Sequence, residues 1–68
     1  MKRYEVYIYK GFHCWLRSDT DDLQTALNDA IELEKNSNED FEGTAIYDNK
    51  TERWFNRHER GTSYKLSK

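Results

Sequence analysis

The 68-residue chain has no proline, one cysteine, three glycines and two histidines. No apolar run approaches the length of a membrane span, so no membrane partner is expected. A single cysteine excludes an intramolecular disulfide framework and points to a reducing cytoplasm. Three isolated glycines exclude a glycine-rich phosphate loop. Met1-Lys2-Arg3 leads straight into a strand pattern, so a secretory leader is not expected either. Asn49-Lys50-Thr51 fits a glycosylation sequon, but without such a leader it reads as turn chemistry.

The same scarcity governs catalysis. His13, Cys14 and His58 are the only candidates for nucleophile or zinc chemistry. His13 and Cys14 are neighbours in a strand pattern, so they point to opposite faces and make a poor base–nucleophile pair. Two histidines and one cysteine without close spacing make a poor zinc site. The carboxylates fall on a helix surface, not in a cleft. The expectation is a non-enzyme with no catalytic residue, no metal and no cofactor.

What is present is charge and aromatic rings. Charged residues make up 35% of the chain and aromatic residues 15%. The net charge of −2 hides a segregation, because residues 19–42 carry nine acidic side chains and one basic. The flanking segments 1–18 and 43–68 are both basic on balance. Two surfaces of opposite sign are expected. A chain this short holds one domain and lies near the lower limit for folding without staples, so burial against a second copy would help it.

The pattern predicts ββαββ, a small α+β domain with an antiparallel sheet and one helix packed on one face. Residues 3–10 alternate as a strand, with Tyr4, Val6 and Ile8 on one side and Arg3, Glu5, Tyr7 and Tyr9 on the other. Lys10-Gly11 reads as a tight turn. Residues 12–17 return, with Phe12, Cys14 and Leu16 opposing His13, Trp15 and Arg17. Ser18, Asp19 or Thr20 can cap a helix running to about Lys35. Leu23, Ala26, Leu27, Ala30 and Ile31 supply its apolar stripe. Residues 36–42 form a polar loop. Gly43–Asp48 and 52–57 complete the sheet around a turn at 48–51. The domain spans 1–57, and 58–68 is a polar tail that can add an edge strand at 62–66.

One helix leaves one sheet face uncovered. With Val6, Ile8, Cys14 and Leu16 facing the helix, the open side would hold Tyr7, Tyr9, Trp15, Arg17, Arg53 and Arg57, joined by Phe55 or alternatively Trp54. Rings with Arg stems suit three roles. They cover one another in an ordinary strand surface. They are enriched at interface centres, which fits a homodimer or higher homo-oligomer. They also stack on bases and meet phosphates, which fits a nucleotide or single-stranded nucleic acid. The second candidate surface is acidic and centred on Asp21, Asp22, Asp29 and Glu32. It reads first as a solubilising helix face and second as a mimic of phosphates.

In size and texture the chain resembles the small free-standing accessory proteins of phages and other mobile elements, a likeness of general character that includes no diagnostic motif. The resemblance implies a protein that inhibits a host or defence protein by binding it directly, with a host-encoded protein as its partner.

Overall fold

The computed structural model describes residues 2–60. The elements are β1 (Tyr4–Lys10), β2 (His13–Thr20), α1 (Leu23–Asn36), β3 (Gly43–Asp48) and β4 (Arg53–Glu59). They form one four-stranded sheet in the order β2-β1-β3-β4, with every neighbouring pair antiparallel. β2 and β3 thus run parallel on either side of β1. The chain must cross over β1 to join them, and α1 makes that crossing on one face.

The helix forms where its apolar stripe recurs. Ala26, Leu27 and Ala30 are buried, and Tyr4, Val6 and Ile46 from the two central strands complete the core. Leu23 and Leu33 pack at its margins. The alanines allow close approach to the sheet, so a thin core still excludes water at Val6 and Ile46. The cap differs from the expected Ser18, Asp19 or Thr20, because β2 continues to Thr20. Asp22 takes the role, and its carboxylate accepts from the amide of Thr25 at 2.9 Å and from its hydroxyl at 2.8 Å. The Thr25 hydroxyl, and then the amide, hold the Asp22 carboxyl below its usual range.

Two polar anchors brace the helix side. Glu34, 7% exposed, accepts from the Thr44 hydroxyl at 2.6 Å and lies 3.0 Å from His58 Nδ1. Arg60 then closes the C-terminal end of the helix. Its guanidinium donates to the backbone carbonyls of Glu34, Ser37 and Glu39 and lies 4.0 Å over the Phe41 ring. β4 runs two residues past the expected 57, which places His58 and Arg60 in these contacts. The edge strand expected at 62–66 lies outside the described residues.

The hairpin turn sits at Gly11-Phe12, one residue later than expected, with Gly11 at φ 60°. In the second hairpin Glu52, not Asn or Asp, takes the left-handed conformation, at φ 58°. Asp48 shapes that turn by accepting from the Lys50 amide at 2.9 Å.

Both outer strands carry a bulge. Val6 pairs with Ser18 and Tyr7 with Leu16, so Arg17 is the extra residue of β2. Ile46 pairs with Asn56 and Tyr47 with Trp54, so Phe55 is the extra residue of β4. An extra residue shifts the side-chain alternation by one, and everything beyond it changes face.

Candidate functional site

The two bulges decide which side chains line the open face. Directly paired residues share a face, so three rows can be read across the sheet. The first runs Asp19, Glu5, Tyr47, Trp54; the second Leu16, Tyr7, Ala45, Arg57; the third Cys14, Tyr9, Gly43, Glu59. Phe12 stands at the hairpin tip beyond the third row.

The rings in these rows touch. Trp54 meets Tyr47 edge to face at 5.0 Å between centroids and Tyr7 at 5.3 Å. The Tyr7 hydroxyl donates to Glu5 Oε1 at 2.9 Å. Burial, and then the Glu5 contact, push the Tyr7 phenol above its ordinary pKa. Tyr9 lies flat over Gly43, where an added Cβ would come within 2.5 Å of the Tyr9 hydroxyl and 2.2 Å of the His58 carbonyl oxygen. The Arg57 guanidinium covers that ring at 4.3 Å. A groove of about 280 Å³ runs between Tyr9, Phe12, Cys14, Ala45, Trp54 and Arg57. Phe12 is fully exposed, and Trp54 and Leu16 are about half exposed.

Of the expected site residues, Tyr7, Tyr9 and Arg57 stand on this face. Trp15 does not. It pairs with the buried Ile8, lies on the helix side at the sheet margin and stacks on His13 at 5.9 Å. Arg17 also turns to the helix side, where Nε donates to Glu39 Oε1 at 2.8 Å in a two-point ion pair. Arg53 pairs with Asp48, which shares the helix side with Tyr4. Phe55 is the bulge residue itself and is exposed. Arg3, read from alternation as an open-face residue, makes a bidentate contact with Asp48 at 3.0 Å for both bonds. That contact pulls the Asp48 carboxyl down to about 2. Cys14 and Leu16, expected toward the helix, are exposed on the open face. The physical reason is the same for Trp15, Cys14 and Leu16: a one-residue bulge at Arg17 inverts their parity.

Alternation leaves Phe55 and Trp54 as alternatives for the open face, and the structure makes Trp54 the centre of the ring cluster; alternation misses Phe12. A signal for Phe12 was available, since an aromatic residue beside Gly11 at a hairpin tip has no core to enter.

The expected acidic surface is divided among local tasks. Asp22 caps the helix. Asp21 accepts from the Arg3 amide at 2.9 Å and lies 3.7 Å from Lys2. Asp29 does not face away from the sheet but accepts from the Ser18 hydroxyl at 3.1 Å. Glu32 accepts from Nδ2 of the Asn36 side chain at 2.9 Å. Asp29 and Glu32 line a polar groove of about 410 Å³ beside Arg17 and Leu33. Among the described residues, no three His, Cys, Asp or Glu side chains gather as a metal site, and no helix is long and apolar enough to cross a membrane.

No protein-family model matches the chain, and no curated protein or solved structure is significantly similar to it.

Proposed function

We propose that this chain is a non-enzymatic binding protein that docks on another protein through the open face of its sheet. Blocking the covered surface of that partner is the consequence of docking. The observation that carries the reading is the ring cluster of half-buried Tyr7 and Tyr47 under exposed Trp54, which joins the apolar groove beside Tyr9. Tyrosine, tryptophan and arginine are the residue types that dominate binding energy at protein interfaces, and Arg57 sits among them. A host-encoded partner in the cytoplasm agrees with the resemblance in size and texture, and an exposed lone thiol at Cys14 suits a reducing compartment.

A nucleotide or single-stranded nucleic acid is the weaker occupant. It would need cations beside the rings to meet phosphates. Arg17 is bound to Glu39, Arg3 is bound to Asp48, and Arg53 lies on the helix side. Phosphate mimicry by Asp21, Asp22, Asp29 and Glu32 has little support, since each has a partner within the domain.

The test is affinity capture from host lysate with three baits: the wild-type chain, Tyr7→Ser with Trp54→Ser, and Arg17→Glu with Glu32→Lys. Circular dichroism checks that all three are folded. Capture of one partner by the first and third baits, lost for the second, is the expected result. Equal capture by the open-face variant overturns the reading. A tryptophan fluorescence response to short oligonucleotides at low salt would replace it with the nucleic-acid reading.

A further inference from the structure

We infer that the protein docked on the open face presents an arginine to the row Asp19, Glu5, Tyr47 and Trp54. The inference rests on the reading of that face as a protein-docking surface and adds the chemistry of what docks there.

The row is built by register. Glu5 of β1 pairs with Asp19 of β2 on one side and with Tyr47 of β3 on the other, and Tyr47 pairs with Trp54 of β4. Directly paired residues hold their Cβ atoms about 5 Å apart on one face, so two carboxylates stand side by side and two rings continue the line. Like charges set opposite one another weaken a sheet. This pair has no relief within the domain. Glu5 accepts from the Tyr7 hydroxyl at 2.9 Å, and the Asp19 side chain meets no donor among the described residues. No cation among them lies against either acid, because Arg3 is bound to Asp48, Lys2 to Asp21 and Arg17 to Glu39. Solubility does not account for Glu5, which is half-buried on an inner strand.

Two unrelieved carboxylates call for a cation from outside, and the rings beside them narrow its identity. Trp54 is about half exposed and meets Tyr47 edge to face at 5.0 Å. Arginine is attracted to aromatic faces, and its planar fork of donors can meet two carboxylates at once. Lysine offers a compact, strongly hydrated point charge without that fork. An ion pair in open water contributes little, but a docked protein excludes water from the row and strengthens the contact. The same Trp54 walls the apolar groove, which buried Tyr9 and Ala45 floor and exposed Phe12 rims. Glu5 and Tyr9 are four residues apart on β1, or about 13 Å. The docking patch of the partner therefore offers an arginine and, at roughly that spacing, an apolar side chain.

The probe is acetyl-arginine methylamide, whose ends are uncharged, titrated into the chain to about 50 mM and followed by NMR at the Trp54 indole and the Glu5 and Asp19 amides. Saturating shifts at these positions are expected. Glu5→Gln with Asp19→Asn keeps an acceptor for the Tyr7 hydroxyl and should weaken binding about tenfold or more. Asp19→Lys supplies the missing cation from within. It should abolish the response and raise the melting temperature of the free chain by about 2–5 °C. The inference is overturned by the absence of saturating shifts, by equal binding to the double variant, by a lysine or norleucine analogue that binds as tightly, or by an Asp19→Lys variant that melts no higher than wild type. Using Glu5→Gln with Asp19→Asn as a fourth capture bait separates this inference from the docking reading. Capture lost with Tyr7→Ser and Trp54→Ser but undiminished with the acid variant refutes the arginine alone. Arginine binding that needs both acids, with no protein captured by the wild-type chain, refutes the docked protein alone.

Discussion

The two faces of this sheet are built on different rules. On the helix side, side chains are small and matched: Val6, Ala26, Ala30 and Ile46 close the core, and buried Thr44 and Asp48 have hydrogen-bonding partners. No buried side-chain polar atom among the described residues lacks a partner. On the open side, Trp54 packs edge to face against Tyr7 and Tyr47 and stays half exposed, and the groove beside them is apolar. The first face is finished by this chain. The second leaves Phe12, Leu16 and Trp54 in water. Most of the buried apolar residues lie on the helix side, with Tyr9 and Ala45 the buried pair on the open side among the described residues.

The sharpest way to break the contrast is to make the same cut on each face. Ile46→Ala removes the largest fully buried side chain. It is expected to cost about 2–5 kcal/mol, which for a domain of this size lowers the melting temperature by roughly 10–30 °C or removes the transition. Trp54→Ala removes more atoms and is expected to lower it far less, with thermal unfolding as the measurement for both. If Trp54→Ala proves as costly as Ile46→Ala, the open face is part of the core and the docking argument loses its basis.

A smaller effect is expected at the polar brace. Glu34→Ala strips the carboxylate from the Thr44 hydroxyl, which is fully buried, and from the His58 ring. An orphaned buried hydroxyl costs about 1–3 kcal/mol. Denaturant unfolding should report that loss with an unchanged slope.

The smallest effect is confined to acid. Asp48 titrates at about 2 in the folded chain because Arg3 holds its ionised form. The unfolded chain takes up that proton near the ordinary carboxylate value of about 3.9. Between those two values the unfolded state binds more protons, so the stabilisation is complete above the upper value and fades as pH falls toward the lower. Melting temperatures of the wild type should therefore drop more steeply below pH 4 than those of Asp48→Asn. Parallel acid profiles would mean that the Arg3–Asp48 contact is not formed in solution.

Much of the architecture was legible in the sequence. The alternation of Tyr4, Val6 and Ile8, the helical spacing of Leu23 to Ala30 and the bounds of Gly43–Asp48 all depend on local period, and all agree with the structure. The candidate site was legible in part. Tyr7, Tyr9 and Arg57 were placed on the open face, whereas Trp15, Arg17 and Arg53 were assigned to the wrong side. Alternation carries no mark of where a strand bulges, because Arg17 and Phe55 are ordinary strand residues. Only pairing against β1 and β3 reveals the slip. Ser18 held a faint signal. Once Arg17 is skipped it falls beneath the helix, where a small side chain fits and Asp29 can receive its hydroxyl. The ion pairs Arg3–Asp48 and Arg17–Glu39 join segments far apart in sequence, which no local pattern encodes.

The bulges have a last consequence. Among the described residues β2 is an outer strand of the sheet, and an outer strand left unpaired is where strands of different molecules add side by side into fibres. The bulge at Arg17 interrupts the row of backbone groups that β2 offers, so a strand of another molecule finds no continuous ladder along that margin.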